Sequence, residues 1–176
     1  MSHEEHRREG PQSVALAVVT ASDTRGEAED RSGAWLREAA AAAGHRVVSY
    51  AVVRDEPEAI RAALAQALAA GAEAVIVDGG TGIAARDRTY EAIAGLLEKR
   101  LDGFGELFRA LSYAEIGSAA MMSRAVAGVW RGCVLFSVPG STAAVRLAWG
   151  KLIAPELSHV VRELRKDAAA PGTGGR

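Results

Sequence analysis

Val75-Ile76-Val77-Asp78-Gly79-Gly80-Thr81-Gly82-Ile83-Ala84-Ala85-Arg86-Asp87-Arg88-Thr89-Tyr90-Glu91-Ala92 is the stretch from which the fold of this 176-residue chain can be read. Its β-branched start has the composition of a buried strand. Three glycines within the four residues 79–82 then break the strand and open backbone conformations closed to other residues. Thr89 can cap a helix whose apolar positions include Ile93, Leu96 and Leu97. A strand, a glycine turn and a helix start place bare N–H groups where an anion can meet them. Arg86 and Asp87 add one charge of each sign beside the turn. The ligand expected there is a phosphate accompanied by a metal.

Two phosphate motifs can be tested against this stretch. A P-loop needs a Lys after its last glycine, and none follows here. Gly80-x-Gly82-x-x-Ala85 fits a loose dinucleotide fingerprint, which also requires an acidic strand end about 20 residues on. Glu98-Lys99-Arg100-Leu101-Asp102-Gly103 is not an apolar strand end, so the fingerprint is incomplete. A glycine turn that merely links strand to helix stays open on these residues alone.

Working outward, the composition is that of a globular protein, with 49% hydrophobic and 24% charged residues. A formal net charge of −1 leaves no electrostatic footprint for nucleic acid, and no Lys/Arg run suggests an anionic membrane surface. Cys133 is the single cysteine and sits in a strand-like run, which excludes a disulfide framework and makes it a core residue. The charged N-terminus lacks an apolar leader, and no apolar stretch reaches about 18 residues, so a cytoplasmic location is expected.

Taken in order, residues 13–166 read as one domain between flexible tails at 1–12 and 167–176. Val14–Thr20 is an apolar run suited to a parallel strand covered on both faces, and Ser22-Asp23 lies at its carboxyl end. A helix with Trp35, Leu36, Ala39, Ala40 and Ala43 follows, stopped by Gly44. Arg46–Val53 is a second strand. Asp55 with Glu58 then resembles a capping box for a helix bearing Ile60, Leu64 and Leu68. With Val75–Val77 this makes three strand–helix alternations, which predict an α/β fold with a largely parallel sheet. Right-handed crossovers would line up Ser22-Asp23, the Asp55 turn and the Gly79–Gly82 loop on one edge. Gly103 to Gly117 is too dense in glycine, aromatic and charged residues for a plain core helix, although Leu107, Phe108 and Leu111 would pack inward. Met121, Met122 and Val126 read as core. Val129-Trp130 and Cys133–Val138 form a strand pair about Arg131-Gly132, and Ser141 can cap the helix after it, a second possible anion site.

Assembled, these motifs resemble the MoaB/MogA family of molybdenum-cofactor biosynthesis proteins from about Val14 to Leu164. The resemblance is carried by Thr20-Ala21-Ser22-Asp23-Thr24-Arg25, Asp30-Arg31-Ser32-Gly33, Asp78-Gly79-Gly80-Thr81-Gly82 with Arg86-Asp87-x-Thr89-x-Glu91-Ala92, Gly103-Phe104-Gly105-Glu106-Leu107-Phe108-Arg109, Ser123-Arg124-Ala125 and Pro139-Gly140-Ser141. It implies a three-layer α/β sandwich, a trimer or dimer of trimers, molybdopterin binding and, in many members, molybdopterin adenylyltransferase activity with Mg-ATP. The family's two functional aspartates fall on Asp55 and Asp87, read here as carboxylates that bind or position Mg²⁺. Its phosphate loop falls on Gly79, Gly80, Thr81 and Gly82, with Ser22, Asp23 and Ser141 as further pterin or nucleotide contacts. Asp78 stands where MogA-type members usually carry Thr, which points to the MoaB branch, and Thr142 stands where they often carry a second Pro. A non-catalytic molybdopterin-binding or carrier protein on the same scaffold is the alternative.

Overall fold

A computed structural model describes residues 11–168. Strands β1 (Ala15–Ala21), β2 (Arg46–Val53), β3 (Ala74–Asp78), β4 (Lys99–Arg100), β5 (Val126–Trp130) and β6 (Cys133–Val138) form one six-stranded sheet in the order β2-β1-β3-β6-β5-β4. The first four strands in that order run parallel, whereas β5 is antiparallel to β6 and β4 to β5. The helices are α1 (Arg31–Ala42), α2 (Pro57–Ala69), α3 (Thr89–Ala94), α4 (Asp102–Ile116), α5 (Thr142–Ala148) and α6 (Ala154–Ala168). No helix among the described residues is long and apolar enough to cross a membrane. The tails expected at 1–12 and 167–176 fall almost wholly outside the described residues, and α6 runs through Ala168.

Two-residue alternation in the central strands divides the core between the two sheet faces. Leu16, Val18, Ile76 and Phe136 face α1, α4, α5 and α6 on one side. Ala17, Val19, Val75, Val77 and Leu135 face α2 and α3 on the other. This explains the uninterrupted apolar runs of β1 and β3, every residue of which is buried. The result is the three-layer sandwich expected. Because β1 lies between β2 and β3, the connection after β1 and the connection after β3 run to opposite sides of the sheet. The crevice of an open α/β sheet opens at such a point, outside the strands' carboxyl ends.

Several local expectations give way to tertiary structure. Gly103 to Ile116 belongs to one 15-residue helix, α4, and its glycine at 105 has a packing reason. A Cβ on Gly105 would stand 2.6 Å from the Ala125 carbonyl oxygen, so α4 can approach the start of β5 only with glycine there. Leu107 is turned out to solvent, while Phe104 and Phe108 pack inward. Met121 and Met122 are exposed rather than core, because Gly117, at φ +65°, turns the chain into a short 3₁₀ segment that leaves the sheet. Val126 and Cys133 are buried as expected, and burial pushes the Cys133 thiol up to about 12. At the C-terminal end α5 and α6 are joined through a π-helical turn at Trp149–Ile153.

Gly105 and Gly103 share one helix and make a paired test. Gly105→Ala should lower stability by about 1–3 kcal/mol, because the new methyl meets a backbone carbonyl. Gly103→Ala, where a Cβ meets nothing within 4 Å, should raise it by up to about 1 kcal/mol. Urea unfolding of both variants against the parent protein reads the two signs.

Candidate functional site

The loops that leave β1, β2, β3 and β6 converge at the carboxyl edge of the sheet. Ser22 N–H donates to Val53 O at 2.8 Å and Gly79 N–H to Val138 O at 3.0 Å, so the loops start from a common ladder. Gly79 and Gly80 both adopt positive φ, +108° and +56°. A Cβ on Gly79 would lie 2.1 Å from Ala21 O, and one on Gly80 would lie 2.1 Å from Asp55 Oδ2. These glycines therefore serve backbone conformation and close approach together.

Asp55 does not cap its own helix. Glu56 stands at the N-cap of α2, and Pro57 occupies the first helical position. The Asp55 carboxylate instead accepts from Arg88 N–H at 3.2 Å and from the Thr89 hydroxyl at 2.8 Å. It caps α3 across the crevice. Thr89, expected as that cap, is the first residue of α3, and Leu96 and Leu97 lie beyond the helix end. Asp55 N–H donates to Asp23 Oδ1 at 3.1 Å, which ties the β1 loop to the same point.

A cavity of about 670 Å³ opens over these residues. Ser22, Asp23, Asp55, Gly79, Gly80, Asp87 and Ser141 all line it, so seven of the nine sequence-predicted site residues meet there. Thr81 and Gly82 line an adjoining cavity of about 280 Å³ with Phe108, Ile116, Met122 and Pro139. Gly80, Gly140 and Ser141 border both cavities, so the first, polar space continues into a more apolar one.

The donors have defined states. Gly79 N–H is already spent on β6, while the N–H groups of Gly80, Thr81 and Gly82 make no hydrogen bond to any described residue. Ser22 Oγ accepts from Arg25 N–H at 3.2 Å and Ser141 Oγ from Ala144 N–H at 3.2 Å. Each hydroxyl proton is thereby left to donate elsewhere. Arg25, Arg31 and Arg86 also line the first cavity, facing the carboxylates of Asp23, Glu29, Asp55 and Asp87. Arg31 and Arg86 form no ion pair with a described residue. Of these three arginines the sequence reading gave weight only to Arg86; Arg25 and Arg31 stood inside quoted motifs without a role.

The carboxylates suit a divalent cation. Asp55 holds its hydrogen bonds on Oδ1, and Asp87 accepts from Ala84 N–H on Oδ2 at 2.9 Å, which leaves one oxygen of each uncommitted. Among the described residues no three His, Cys, Asp or Glu side chains gather into a metal cage. A hard cation held by one or two carboxylates plus phosphate oxygens needs no such cage, and the donor set fits Mg²⁺.

Beneath the cavity lies a buried polar cluster that no local pattern signals. Thr20 Oγ1 stands 2.6 Å from Asp30 Oδ2 and 3.0 Å from Asp78 Oδ2, and Ser32 Oγ stands 3.1 Å from Asp30 Oδ1 and 2.9 Å from Asp78 Oδ1. Asp30 also accepts from Gly33 N–H and from Tyr50 OH, at 3.0 and 2.7 Å. Burial acts to raise the Asp30 carboxyl, but the donors Thr20, Gly33, Tyr50 and Ser32 together hold it below its ordinary value. Asp78 is pushed up to about 6 by burial, with the Asp30 charge adding to the effect. The four contacts between the two hydroxyls and the two carboxyls share only two hydroxyl protons. Below about pH 6 a proton on Asp78 supplies the third.

A family model described as "Probable molybdopterin binding domain" matches residues 16–159. Molybdenum cofactor biosynthesis protein B of Bacillus subtilis is 53% identical over 169 residues, covering 95% of this chain and 99% of that protein. A crystal structure of a molybdenum cofactor biosynthesis protein B superposes with a TM-score of 0.82 at 49% identity, over 90% of this chain and 99% of the other. The tungsten cofactor synthesizing protein MoaB from Pyrococcus furiosus gives a TM-score of 0.82 at 40% identity, over 88% and 99%.

The raised Asp78 has a signed consequence for stability. Between the unfolded value of 3.8 and the folded value of about 6, the folded chain keeps a proton that the unfolded chain has lost. Stability should therefore fall as pH rises through that window, by up to about 3 kcal/mol in total. Asp30, with its value lowered, acts in the opposite sense and below 3.8, outside that window. Asp78→Asn, which can still donate to Thr20, should remove the fall. Denaturation of both proteins at pH 4.5 and 7.5 should show the variant gaining on the parent at the higher pH.

Proposed function

The chain belongs to the molybdopterin-binding domain family, together with the molybdenum cofactor biosynthesis proteins B, and on that premise we propose that it acts in molybdenum cofactor biosynthesis by adenylating molybdopterin with Mg-ATP. The observation that carries this reading is the crevice itself. Asp55 and Asp87 flank a bare glycine backbone in a cavity that mixes three guanidinium groups with four carboxylates. A polyphosphate with its cation suits the polar cavity, and a flat heteroaromatic ring suits the apolar one beside it.

In the reaction, an oxygen of the terminal phosphate of molybdopterin attacks the α-phosphorus of ATP. A P–O bond forms there, the bond from the α-phosphorus to the bridging oxygen breaks, and pyrophosphate leaves with the electron pair. The nucleophile is already anionic near neutral pH, so the chain needs no strong general base. Its task is to bring two polyanions together in line. The N–H groups of Gly80, Thr81 and Gly82 and the hydroxyls of Ser22 and Ser141 can donate to phosphate oxygens. Arg25, Arg31 and Arg86 offset charge from the cavity wall. Asp55 and Asp87 would hold Mg²⁺ through their uncommitted oxygens, and a cation so bound neutralises the charge that builds on the phosphates.

Asp55→Asn tests the assignment, because the amide oxygen can still accept from Arg88 and Thr89. Stability should change by at most about 1 kcal/mol, whereas Mg-dependent transfer should fall at least about a hundredfold, or ~2.7 kcal/mol of barrier. Asp87→Asn should show the same loss. The assay incubates the protein with molybdopterin and Mg-ATP and measures adenylated pterin and pyrophosphate. Tight pterin binding with neither product would leave a carrier and remove the enzyme.

Self-association into a trimer or dimer of trimers is part of the same proposal. Tyr113, Ile116, Met121 and Met122 expose apolar side chains around the end of α4 and the 3₁₀ turn after it, a patch that supports docking of a second copy. Sedimentation at micromolar concentration should give a species of at least three chains, and Ile116→Glu combined with Met121→Glu should reduce it. A parent protein that sediments as a monomer would refute the assembly and leave the fold untouched.

A further inference from the structure

Arg124 lies between the 3₁₀ turn and β5, and its side chain is only 25% exposed. It lines neither cavity of the site. Its guanidinium nevertheless meets the β3–α3 loop at both ends. Nε donates to Thr81 O at 3.0 Å, and Nη2 donates to Gly82 O and, at 3.3 Å, to Asp87 O. Nη1 pairs with Glu91 on α3, and the group lies 4.9 Å over the Tyr90 ring. That pairing holds the Glu91 carboxyl below its ordinary value.

A peptide carbonyl directed to Arg124 turns the N–H of the same peptide plane the other way. With the Thr81 and Gly82 carbonyls drawn to the guanidinium, the loop cannot rotate those planes to present oxygen to an incoming phosphate. The Asp87 carbonyl is held by the same Nη2 that holds Gly82. Together with the hydrogen bond from Thr89 N–H to Gly80 O at 3.2 Å, this rigid fork fixes the separation between the glycine turn and the Asp87 segment. Within the loop, Asp87 N–H bonds Ala84 O and the Asp87 carboxylate accepts from Ala84 N–H, so this turn moves as a unit once its ends are released. Lys could not replace the fork, because an ammonium lacks the planar array of donors.

We propose that Arg124 is a positioning residue that staples the two ends of the glycine loop, so that Gly82 stays against the Asp87 carboxylate at the phosphate site. The inference rests on the phosphate-binding reading of that cavity. It assigns a role in the site to a residue that does not touch the ligand.

The test uses the full chain and two readouts. The first is the affinity for magnesium pyrophosphate by calorimetry. Arg124→Ala should weaken it about tenfold or more, the scale of one hydrogen bond to a charged group, and Arg124→Lys should recover only part of it. Guanidinium ion, at millimolar concentrations far below denaturing ones, should restore binding to Arg124→Ala and leave the parent unchanged. The second readout is trypsin cleavage after Arg86, inside the stapled loop, and after Arg88, just beyond it. Cleavage should accelerate in Arg124→Ala at unchanged helix content and slow again with guanidinium. Parent-like affinity and cleavage rate in Arg124→Ala would overturn the proposal, as would losses that guanidinium cannot reverse. If Arg124→Ala fails to fold, Arg124→Lys carries the same test, with parent-like values overturning the staple. If the parent binds no pyrophosphate, the phosphate reading fails, and the cleavage rates alone decide whether Arg124 holds the loop.

Discussion

The Asp55 carboxylate is the point on which the site depends. Loops from three strands must come together at the sheet edge, and one of them passes through as bare glycine. Asp55 receives α3 through Arg88 and Thr89 and reaches the β1 loop through Asp23. Its second oxygen occupies the space that a side chain on Gly80 would need. Gly80 and Asp55 therefore constrain each other. The glycine allows a carboxylate to stand against the loop backbone, and that carboxylate leaves no room for a side chain there.

A second layer of constraint lies below. Thr20, Asp30, Ser32 and Asp78 bridge β1, α1 and β3 with every member buried. Such a network is costly unless its donors and acceptors are matched, and below about pH 6 a proton on Asp78 matches them. Its position, one residue before Gly79, makes the floor of the cavity rigid. Arg124 applies the same logic from the outside, where a guanidinium satisfies loop carbonyls that would otherwise face water. The loop between these supports needs little regular structure of its own, because its peptide planes are set by neighbours.

Five of the six strands were legible in the sequence because apolar runs ended in recognisable breakers, whereas β4, two exposed charged residues, carries no apolar pattern to reveal it. Arg46–Val53 and Cys133–Val138 emerge with the expected bounds. The convergence of Ser22, Asp55 and Gly79 on one edge followed from crossover handedness. What escaped was every contact made at long sequence separation. Asp55 caps a helix 33 and 34 residues downstream, so its local capping-box spacing with Glu58 misled. The Ser32–Asp78 contact spans 46 residues, and Arg124 reaches Gly82 across 42. Nor does composition separate a glycine that allows close helix–strand approach, as at 105, from one that breaks a helix. The exposed Met pair shows the converse, since apolar identity alone does not say which face of a turn meets the core.

Charge makes the final link between scaffold and ligand. The first cavity carries four carboxylates against three guanidinium groups, so an unaccompanied polyphosphate meets no net attraction from its walls. Donor N–H groups favour an anion only locally, and two of the acids, Asp55 and Asp87, stand on either side of them. A cation on those acids would reverse the balance, leaving only Asp23 and Glu29 opposed to the arginines and N–H groups that act on phosphate. On the proposed function, recognition of a polyphosphate at this edge is a joint property of the cation, the arginines and the stapled backbone. Each of the three supplies what the glycine loop, lacking side chains at its critical positions, cannot supply by itself.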